Sequence, residues 1–297
     1  MKKAVLLSVV LLIASGLFAQ TGTDAAATRF NAGVTSFGRG ELDAAIREFT
    51  EAVRLNPNYA EAYAWRARAY SAKGSYDQGL SDANQAIQLN PQLAIAYYAR
   101  GVVYYIKSDY DHAIADYTEA IRLDPNYANA YNNRGGVYVF KGDYDRAIAD
   151  YAEVIRLNPN DGEAYYNRGN AYFIKRDYDR AIADYTEAIR LAPNFAFAYR
   201  NRGGVYVFKG DYDRAIVDFT EVIRLNPNDG EAYYNRGSAY VFKGDYDRAI
   251  VDFTEAIRLN PNNGEAYYWR GSSYNAKGDT TRADADFAMA RELGYTP

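Results

Sequence analysis

Carboxylates are the main side chains that could carry out chemistry in this sequence, which has 38 Asp and Glu residues but one His and no Cys. The absence of Cys excludes a thiolate nucleophile and a Cys-type zinc site, and a single His excludes a two-His metal motif. The carboxylates recur at a fixed spacing, as at Glu119, Glu153 and Glu187, which favours solvated helix faces over one acid–base pair. With no Gly-x-Ser-x-Gly elbow and no phosphate loop, we expect no enzyme activity, no metal and no cofactor. His112 is interpreted as a surface histidine.

Charge and composition restrict the partners further. The 297 residues carry a net charge of −4, with a pI near 5.3. Broad binding to a phosphate backbone needs a basic surface, so we expect no nucleic acid partner. Hydrophobic residues make up 48% of the chain and charged residues 24%, which is typical of a packed protein rather than a disordered one.

Residues 1–19 have the pattern of a bacterial secretory signal peptide. Two lysines precede an apolar run from Ala4 to Phe18, and small residues allow cleavage after Gly16 or after Ala19. An uncleaved membrane anchor is the alternative, but the run is shorter than the roughly 20 residues that a spanning helix needs. The sequence therefore predicts export to the periplasm or cell envelope of a bacterium. Membrane contact is expected only through this peptide before cleavage, and residues 20–25 form a short polar leader.

Seven prolines at a spacing of 34 residues reveal an internal repeat that begins at residue 26. A repeat array can lengthen without dividing into separate cores. We therefore predict one array rather than the two domains that the length suggests. The prolines are Pro57, Pro91, Pro125, Pro159, Pro193, Pro227 and Pro261. The predicted repeats are 26–59, 60–93, 94–127, 128–161, 162–195, 196–229, 230–263 and 264–297.

Each repeat is predicted to fold as two helices. In the fourth repeat, apolar residues at helical spacing run from Ala128 to Lys141 and again from Tyr144 to Leu157, with a Gly-Asp turn between the two runs. Gly135 and Ala147 are small enough to let the paired helices approach each other. The glycine pairs that follow Arg134 and Arg202 are also interpreted as packing glycines.

These residues resemble the signature of the tetratricopeptide repeat (TPR) family, which has small residues at repeat positions 8, 20 and 27, aromatic rings at 11 and 24, and Pro at 32. In the fourth repeat Gly135, Tyr138, Ala147, Tyr151 and Pro159 match this signature, and only position 27 carries a larger residue. The resemblance covers residues 26–297. It implies an all-α, right-handed superhelical solenoid of eight helix-turn-helix repeats, in which the first helices line a concave groove.

The sequence departs from the family at position 7, where Arg replaces the usual Leu in repeats two to eight, and at position 23, where the same repeats carry Asp. The first repeat lacks both residues. We therefore predict an Arg–Asp pair between the two helices of each later repeat, as in Arg168 with Asp184. A basic ladder for an anionic ligand is the alternative interpretation.

The last repeat carries a further departure. Its positions 21 and 28 hold Asp284 and Arg291, where the preceding repeat has Ile250 and Ile257. An apolar face that would meet a following repeat is thus polar, and we expect the eighth repeat to act as a cap.

In this family, positions 2, 5, 9, 12 and 13 of the first helix face the groove. Tyrosine at position 5 combines contact area with a polar tip, and we expect it to face solvent and contact a ligand. Position 13 is usually polar but is Ile or Phe here, which indicates either a binding stripe or packing between neighbouring first helices. The candidate partner-binding residues are Tyr98, Tyr105, Asn132, Tyr166, Asn170, Phe173, Arg200, Tyr234 and Tyr268.

Residues 131–169 and 199–237 differ at only four places, so a pair of repeats was duplicated. Repeated pockets for a multivalent ligand and duplication without selection for binding explain this equally well. The sequence predicts a non-enzymatic protein-protein interaction scaffold that binds a peptide or partner protein. A self-associating structural protein and an adaptor for a cell-envelope hydrolase are the alternatives. Some co-chaperones of this family hold the two carboxylates of an acidic peptide terminus in a clamp of Lys, Asn and Arg side chains. That clamp needs Lys at position 5, and no repeat of this chain has it, so this function is excluded.

Overall fold

The computed structural model describes residues 24–296, so the expected signal peptide at 1–19 lies outside the described residues. The described chain consists of helices and turns, without a strand. It divides into two compact units, with residues 24–143 in unit 1 and residues 144–296 in unit 2. None of the described helices is both long enough and apolar enough to cross a membrane.

Sixteen helices lie within the described residues, two for each 34-residue repeat, which confirms the all-α repeat fold. Odd numbers denote first helices and even numbers denote second helices. Unit 1 contains α1 (24–38), α2 (Leu42–Leu55), α3 (Ala60–Lys73), α4 (Tyr76–Leu89), α5 (Ala94–Ile106), α6 (Tyr110–Leu123) and α7 (Ala128–Phe140). Unit 2 contains α8 (Tyr144–Leu157), α9 (Gly162–Ile174), α10 (Tyr178–Leu191), α11 (Ala196–Phe208), α12 (Tyr212–Leu225), α13 (Gly230–Phe242), α14 (Tyr246–Leu259), α15 (Gly264–Ala276) and α16 (Thr280–Glu292).

The turn between the two helices of a repeat is fixed by two neighbouring residues. Gly210 adopts a positive φ of 74°, which glycine tolerates without strain. Asp211 then caps the second helix, because its carboxylate accepts a hydrogen bond from the Arg214 N–H at 3.2 Å. The same glycine-aspartate turn recurs in other repeats, so the sequence sets the helix boundaries locally.

Inside a repeat, the glycine at position 8 makes room for the ring at position 24. A Cβ atom added to Gly169 would lie 2.9 Å from Cε1 of the buried Tyr185. Repeat two has Ala67 at position 8 and Ala83 at position 24, so a larger residue on one helix faces a smaller one on the other. Close helix packing therefore depends on the combined size of this pair.

The predicted Arg–Asp pairs join the two helices in repeats two, three and five to eight. Nε and Nη2 of Arg168 both donate to Asp184, each at 2.8 Å, and the Asp184 carboxylate is buried. This internal pairing leaves the basic-ladder interpretation without support. Five equivalent pairs are Arg66–Asp82, Arg100–Asp116, Arg202–Asp218, Arg236–Asp252 and Arg270–Asp286. The expected pair of Arg134 with Asp150 stays a prediction.

The outer face of α16 has the polar surface that the sequence predicts. Asp284 and Arg291 are exposed, whereas the equivalent Ile250 and Ile257 of α14 are half-buried and buried. No apolar face equivalent to that of α14 is therefore presented here, which agrees with the expected capping role.

Candidate functional site

In unit 2 the first helices α9, α11, α13 and α15 lie side by side, each packed between second helices. We call the surface formed by positions 2, 5, 9, 12 and 13 of these helices the first-helix face. Six of the nine residues expected to bind a partner lie in unit 2 and three lie in unit 1. The six are Tyr166, Asn170, Phe173, Arg200, Tyr234 and Tyr268, and the three are Tyr98, Tyr105 and Asn132.

The expectation that the position-5 tyrosines face solvent is wrong for Tyr98, which is only 9% exposed. Its ring packs 5.9 Å from that of Tyr117 and 4.9 Å from that of Tyr127. The ring is buried because it fills the gap between its own second helix and the loop that leads to the next repeat. Asn133 closes the contact by donating a 3.3 Å hydrogen bond to the Tyr98 hydroxyl.

The other position-5 tyrosines use the same gap and are half-buried rather than solvent-facing. Tyr166 packs against Tyr185 and Phe195, with ring centroids 5.9 and 4.8 Å apart. Tyr268 packs against Phe287 at 5.5 Å and Tyr295 at 5.4 Å. These rings stabilise the stack of repeats, so their truncation would remove packing contacts as well as any contact with a partner.

The aromatic rings at position 13 are far more exposed, at 66% for Phe208 and 52% for Phe242. Each stacks with one face on a tyrosine of the preceding second helix, Phe208 on Tyr178 and Phe242 on Tyr212, with centroids 5.9 and 5.3 Å apart. Much of each side chain is left exposed and available to a partner. Phe208 also lies 5.7 Å from the Phe173 ring of the neighbouring first helix, so packing accounts for part of position 13, and the binding stripe stays a prediction.

A cavity of about 330 Å³ opens on the first-helix face around α11. Its floor is Gly204, where an added Cβ atom would meet no other described atom within 4 Å. Gly204 is therefore not a packing glycine, in contrast to its neighbour Gly203, whose Cβ would lie 2.9 Å from the Phe219 ring. The cavity is lined by Phe173, Arg200, Asn201, Gly204, Val207, Phe208, Phe219, Glu231, Asn235 and Ser238.

Arg200 lies at one edge of this cavity and its charge is already balanced. Its guanidinium forms ion pairs with Asp229 and, at 3.1 Å, with Glu231, and it lies 5.5 Å from the centroid of the exposed Phe197 ring. Nε of Arg200 is buried and has no hydrogen-bond partner within residues 24–296. Arg200 therefore lines the cavity with its charge neutralised and does not form a site for an anion.

A small polar network borders the other side. Asn170 accepts hydrogen bonds at 2.8 Å from both Asn201 and the hydroxyl of the buried Tyr185. Burial raises the pKa of Tyr185, with Asn201 opposing that shift. This network fixes the Asn201 side chain, which lines the cavity.

Of the candidate residues, the structure thus brings together Phe173 and Arg200 in the cavity, with Asn170 beside them. Tyr105 and Asn132 are half-buried in unit 1, and Tyr105 packs 6.0 Å from the Phe140 ring. Sequence reasoning missed Gly204 and Asn235. The available signal was a glycine at a groove position whose neighbours along the face are large aromatic residues.

His112 and the arrangement of the acidic side chains bear on whether the described residues could carry out catalysis or bind a metal. His112 stacks on Tyr104, with ring centroids 5.0 Å apart, and its Nδ1 lies 2.8 Å from the Asp109 carboxylate, as expected of a surface residue. No group of three or more His, Asp or Glu side chains within residues 24–296 is arranged to hold a metal ion.

Stacked pairs of antiparallel helices with a 34-residue period define a helical repeat protein. Models described as tetratricopeptide repeat match residues 60–93, 132–194, 230–263 and 253–285, and a model described as TPR repeat matches residues 36–74, 103–140 and 205–241. The chain belongs to the tetratricopeptide repeat family. Among curated proteins, none shows significant similarity to it.

Several solved structures are similar to this chain. A MamA protein is 30% identical with a TM-score of 0.55, and the match covers 59% of this chain and 96% of MamA. YrrB, described as a TPR protein with an unusual peptide-binding site, is 26% identical with a TM-score of 0.55 over 62% of this chain and 95% of YrrB. A tetratricopeptide repeat protein from Parabacteroides merdae is 23% identical with a TM-score of 0.58 over 80% and 94%, a likeness in fold alone. Protein-interaction scaffold is the class of function that the family and these neighbours support.

Proposed function

We propose that this protein is an exported, non-enzymatic scaffold that binds a peptide segment of a partner protein on the first-helix face of unit 2. The observation that carries the proposal is the cavity over Gly204, an open space on a surface where neighbouring side chains otherwise pack together. Sites for ligands are concave and mostly apolar, with a few polar groups that fix orientation.

The walls of the cavity suit an apolar peptide side chain. Phe173, Val207 and Phe208 supply apolar contact area, and burial of one large side chain there contributes about 2 kcal/mol. Asn235 and Ser238 on α13 offer hydrogen bonds to a peptide backbone that crosses the cavity. The description of YrrB as a peptide-binding TPR protein supports this interpretation.

Filling the cavity tests the proposal. Peptides are first selected on the wild-type protein from a random twelve-residue library, and their Kd values are measured by fluorescence polarisation. Gly204→Leu should fold normally, because its side chain enters open space, and should weaken binding by more than tenfold. Ala183→Leu places the same leucine side chain at an exposed position of α10 and should leave the Kd unchanged. Unchanged binding to Gly204→Leu would place the site elsewhere.

Export is the second part of the proposal, and it rests on Lys2, Lys3 and the apolar run that follows. Intact-mass measurement of protein from a bacterial envelope fraction should give a chain that begins at Leu17 or at Gln20. A chain that retains Met1 and sediments with membranes would contradict export.

Self-association is a second candidate function, favoured by the exposed faces of Phe208 and Phe242. Light scattering of the purified protein distinguishes the two candidates. A monomer across the micromolar range supports the peptide scaffold, whereas an oligomer that Phe208→Ser with Phe242→Ser dissociates supports self-association.

A further inference from the structure

The charged groups on the first-helix face of unit 2 are mostly acidic. Its five defining positions carry three glutamates, Glu163, Glu231 and Glu265, all of them exposed, and one cation, Arg200. Asp229 and Glu231 already balance the Arg200 guanidinium. The lysines that follow position 13 are paired as well, in Lys175–Asp145, Lys209–Asp179, Lys243–Asp213 and Lys277–Asp247. The face therefore presents an excess of negative charge.

One of these carboxylates, Glu231, lies at the cavity over Gly204. Glu231 lines that cavity and also lines a second one of about 320 Å³, which includes Tyr234 and Asn263. Glu265 is exposed on α15, the first helix next to α13, and burial and then the Glu265 carboxylate raise the pKa of Tyr234. An apolar pocket thus adjoins a tyrosine with two carboxylates near it.

We infer that the segment bound at this face is basic, with an apolar side chain in the cavity over Gly204 and a neighbouring Lys or Arg paired with Glu231 and Glu265. This inference rests on the proposed function and specifies its ligand. The Glu231 side chain is 64% exposed, and an exposed pair such as that with Arg200 is weak, so Glu231 can share its charge with a ligand cation. The Tyr234 ring adds a surface that attracts a cation.

An acidic segment fits the same surface poorly. One N–H on each terminal nitrogen of Arg200 already binds Glu231 or Asp229, and its Nε is buried, so its charge is already balanced. A ligand carboxylate in the cavity would also lie beside the Glu231 side chain and meet like-charge repulsion. Charge complementarity therefore distinguishes basic from acidic partners at this site.

The peptides selected from the random library provide the test. They should contain Lys or Arg near an aromatic or aliphatic residue and be depleted in Asp and Glu. Glu231→Gln with Glu265→Gln should weaken binding of a selected peptide about tenfold and reduce its dependence on salt. Glu187→Gln with Glu221→Gln removes the same charge from second helices α10 and α12 and should change the Kd less than twofold.

The outcomes separate the two proposals. Retained binding by the Glu231 and Glu265 double variant, together with loss of binding in Gly204→Leu, would overturn the basic-ligand inference and leave the cavity as the binding site. A selection that enriches acidic peptides would also overturn the inference. Equal binding by Gly204→Leu and wild type would instead overturn the proposed function.

Discussion

The first helices α3 of unit 1 and α11 of unit 2 use the same repeat position to opposite effect. In unit 1, position 9 of repeat two is Arg68, whose guanidinium lies 5.1 Å from the Phe37 ring, 4.4 Å from the Trp65 ring and 5.6 Å from the Tyr98 ring. In unit 2, position 9 of repeat six is Gly204, with open space above it. The side chain at position 9 therefore decides whether the surface of the first helices is filled, as at Arg68, or open to a ligand, as at Gly204.

The packing between neighbouring first helices differs in a similar way between α3 and α5 on one side and α11 on the other. Ala64, Ala67, Ala96 and Ala99 are fully buried in α3 and α5, and alanines let two helices approach closely. Around α11 the large rings of Phe173 and Phe208 border the cavity instead. Small residues thus close the face between α3 and α5, whereas a glycine among large residues opens it at α11.

The largest expected effect tests what the two units share. Arg168→Leu should cost on the order of 3 kcal/mol, because it leaves the buried Asp184 without its partner. Arg66→Leu in unit 1 should cost a similar amount, measured as a shift of the urea midpoint. Arg190→Leu, which removes an exposed pair with Glu187, should leave that midpoint nearly unchanged. Adding Asp184→Tyr to Arg168→Leu should recover much of the loss, and equal midpoints for Arg168→Leu and wild type would contradict the account.

Two adjacent glycines sharpen the contrast between a filled and an open site. Gly203→Ala should destabilise the protein by about 2 kcal/mol, because the new methyl group meets the buried Phe219 ring. Gly204→Ala should stabilise it by about 0.5–1 kcal/mol, because alanine favours the helix and its methyl group enters open space. Urea unfolding of both variants decides this, and equal losses would show that Gly204 is packed.

A smaller difference in stability between the units is expected when the tyrosine hydroxyl at position 24 is removed. The Tyr117 hydroxyl of unit 1 is buried with no hydrogen-bond partner in the described chain, whereas the Tyr185 hydroxyl of unit 2 donates to Asn170 at 2.8 Å. Tyr185→Phe should cost about 1 kcal/mol, and Tyr117→Phe should be neutral or slightly stabilising. Thermal unfolding of the matched pair would refute this if both variants lost the same stability.

The features that recur from repeat to repeat could be predicted from the sequence, because recurrence at a fixed position indicates a structural role. Arg168 and Asp184 were paired correctly since the two residues appear together in each later repeat and are both missing from the first. The Gly-Asp turn likewise set the helix ends. These properties depend on contacts within one repeat, which a repeat alignment within a single chain makes visible.

The candidate site was harder to predict because it depends on what neighbouring repeats place across a gap. Tyr98 was expected in solvent but is buried, since the loop before the next helix covers it with Tyr127. Gly203 and Gly204 are adjacent glycines of α11. Only the position of the Phe219 ring makes Gly203 a packing glycine and leaves Gly204 open. Such differences arise from three-dimensional contacts between repeats.

The central claim is that the ligand binds over Gly204 in unit 2, and amide chemical shifts in the presence of a selected peptide test it most directly. Peptide addition should shift the backbone amides of Gly204 and Ser238 and the side-chain amide of Asn235, which line the cavity. The amide of Gly101, packed against the Tyr117 ring in unit 1, should not move. Shifts that cluster in α3 and α5, with Gly204 unaffected, would contradict the claim.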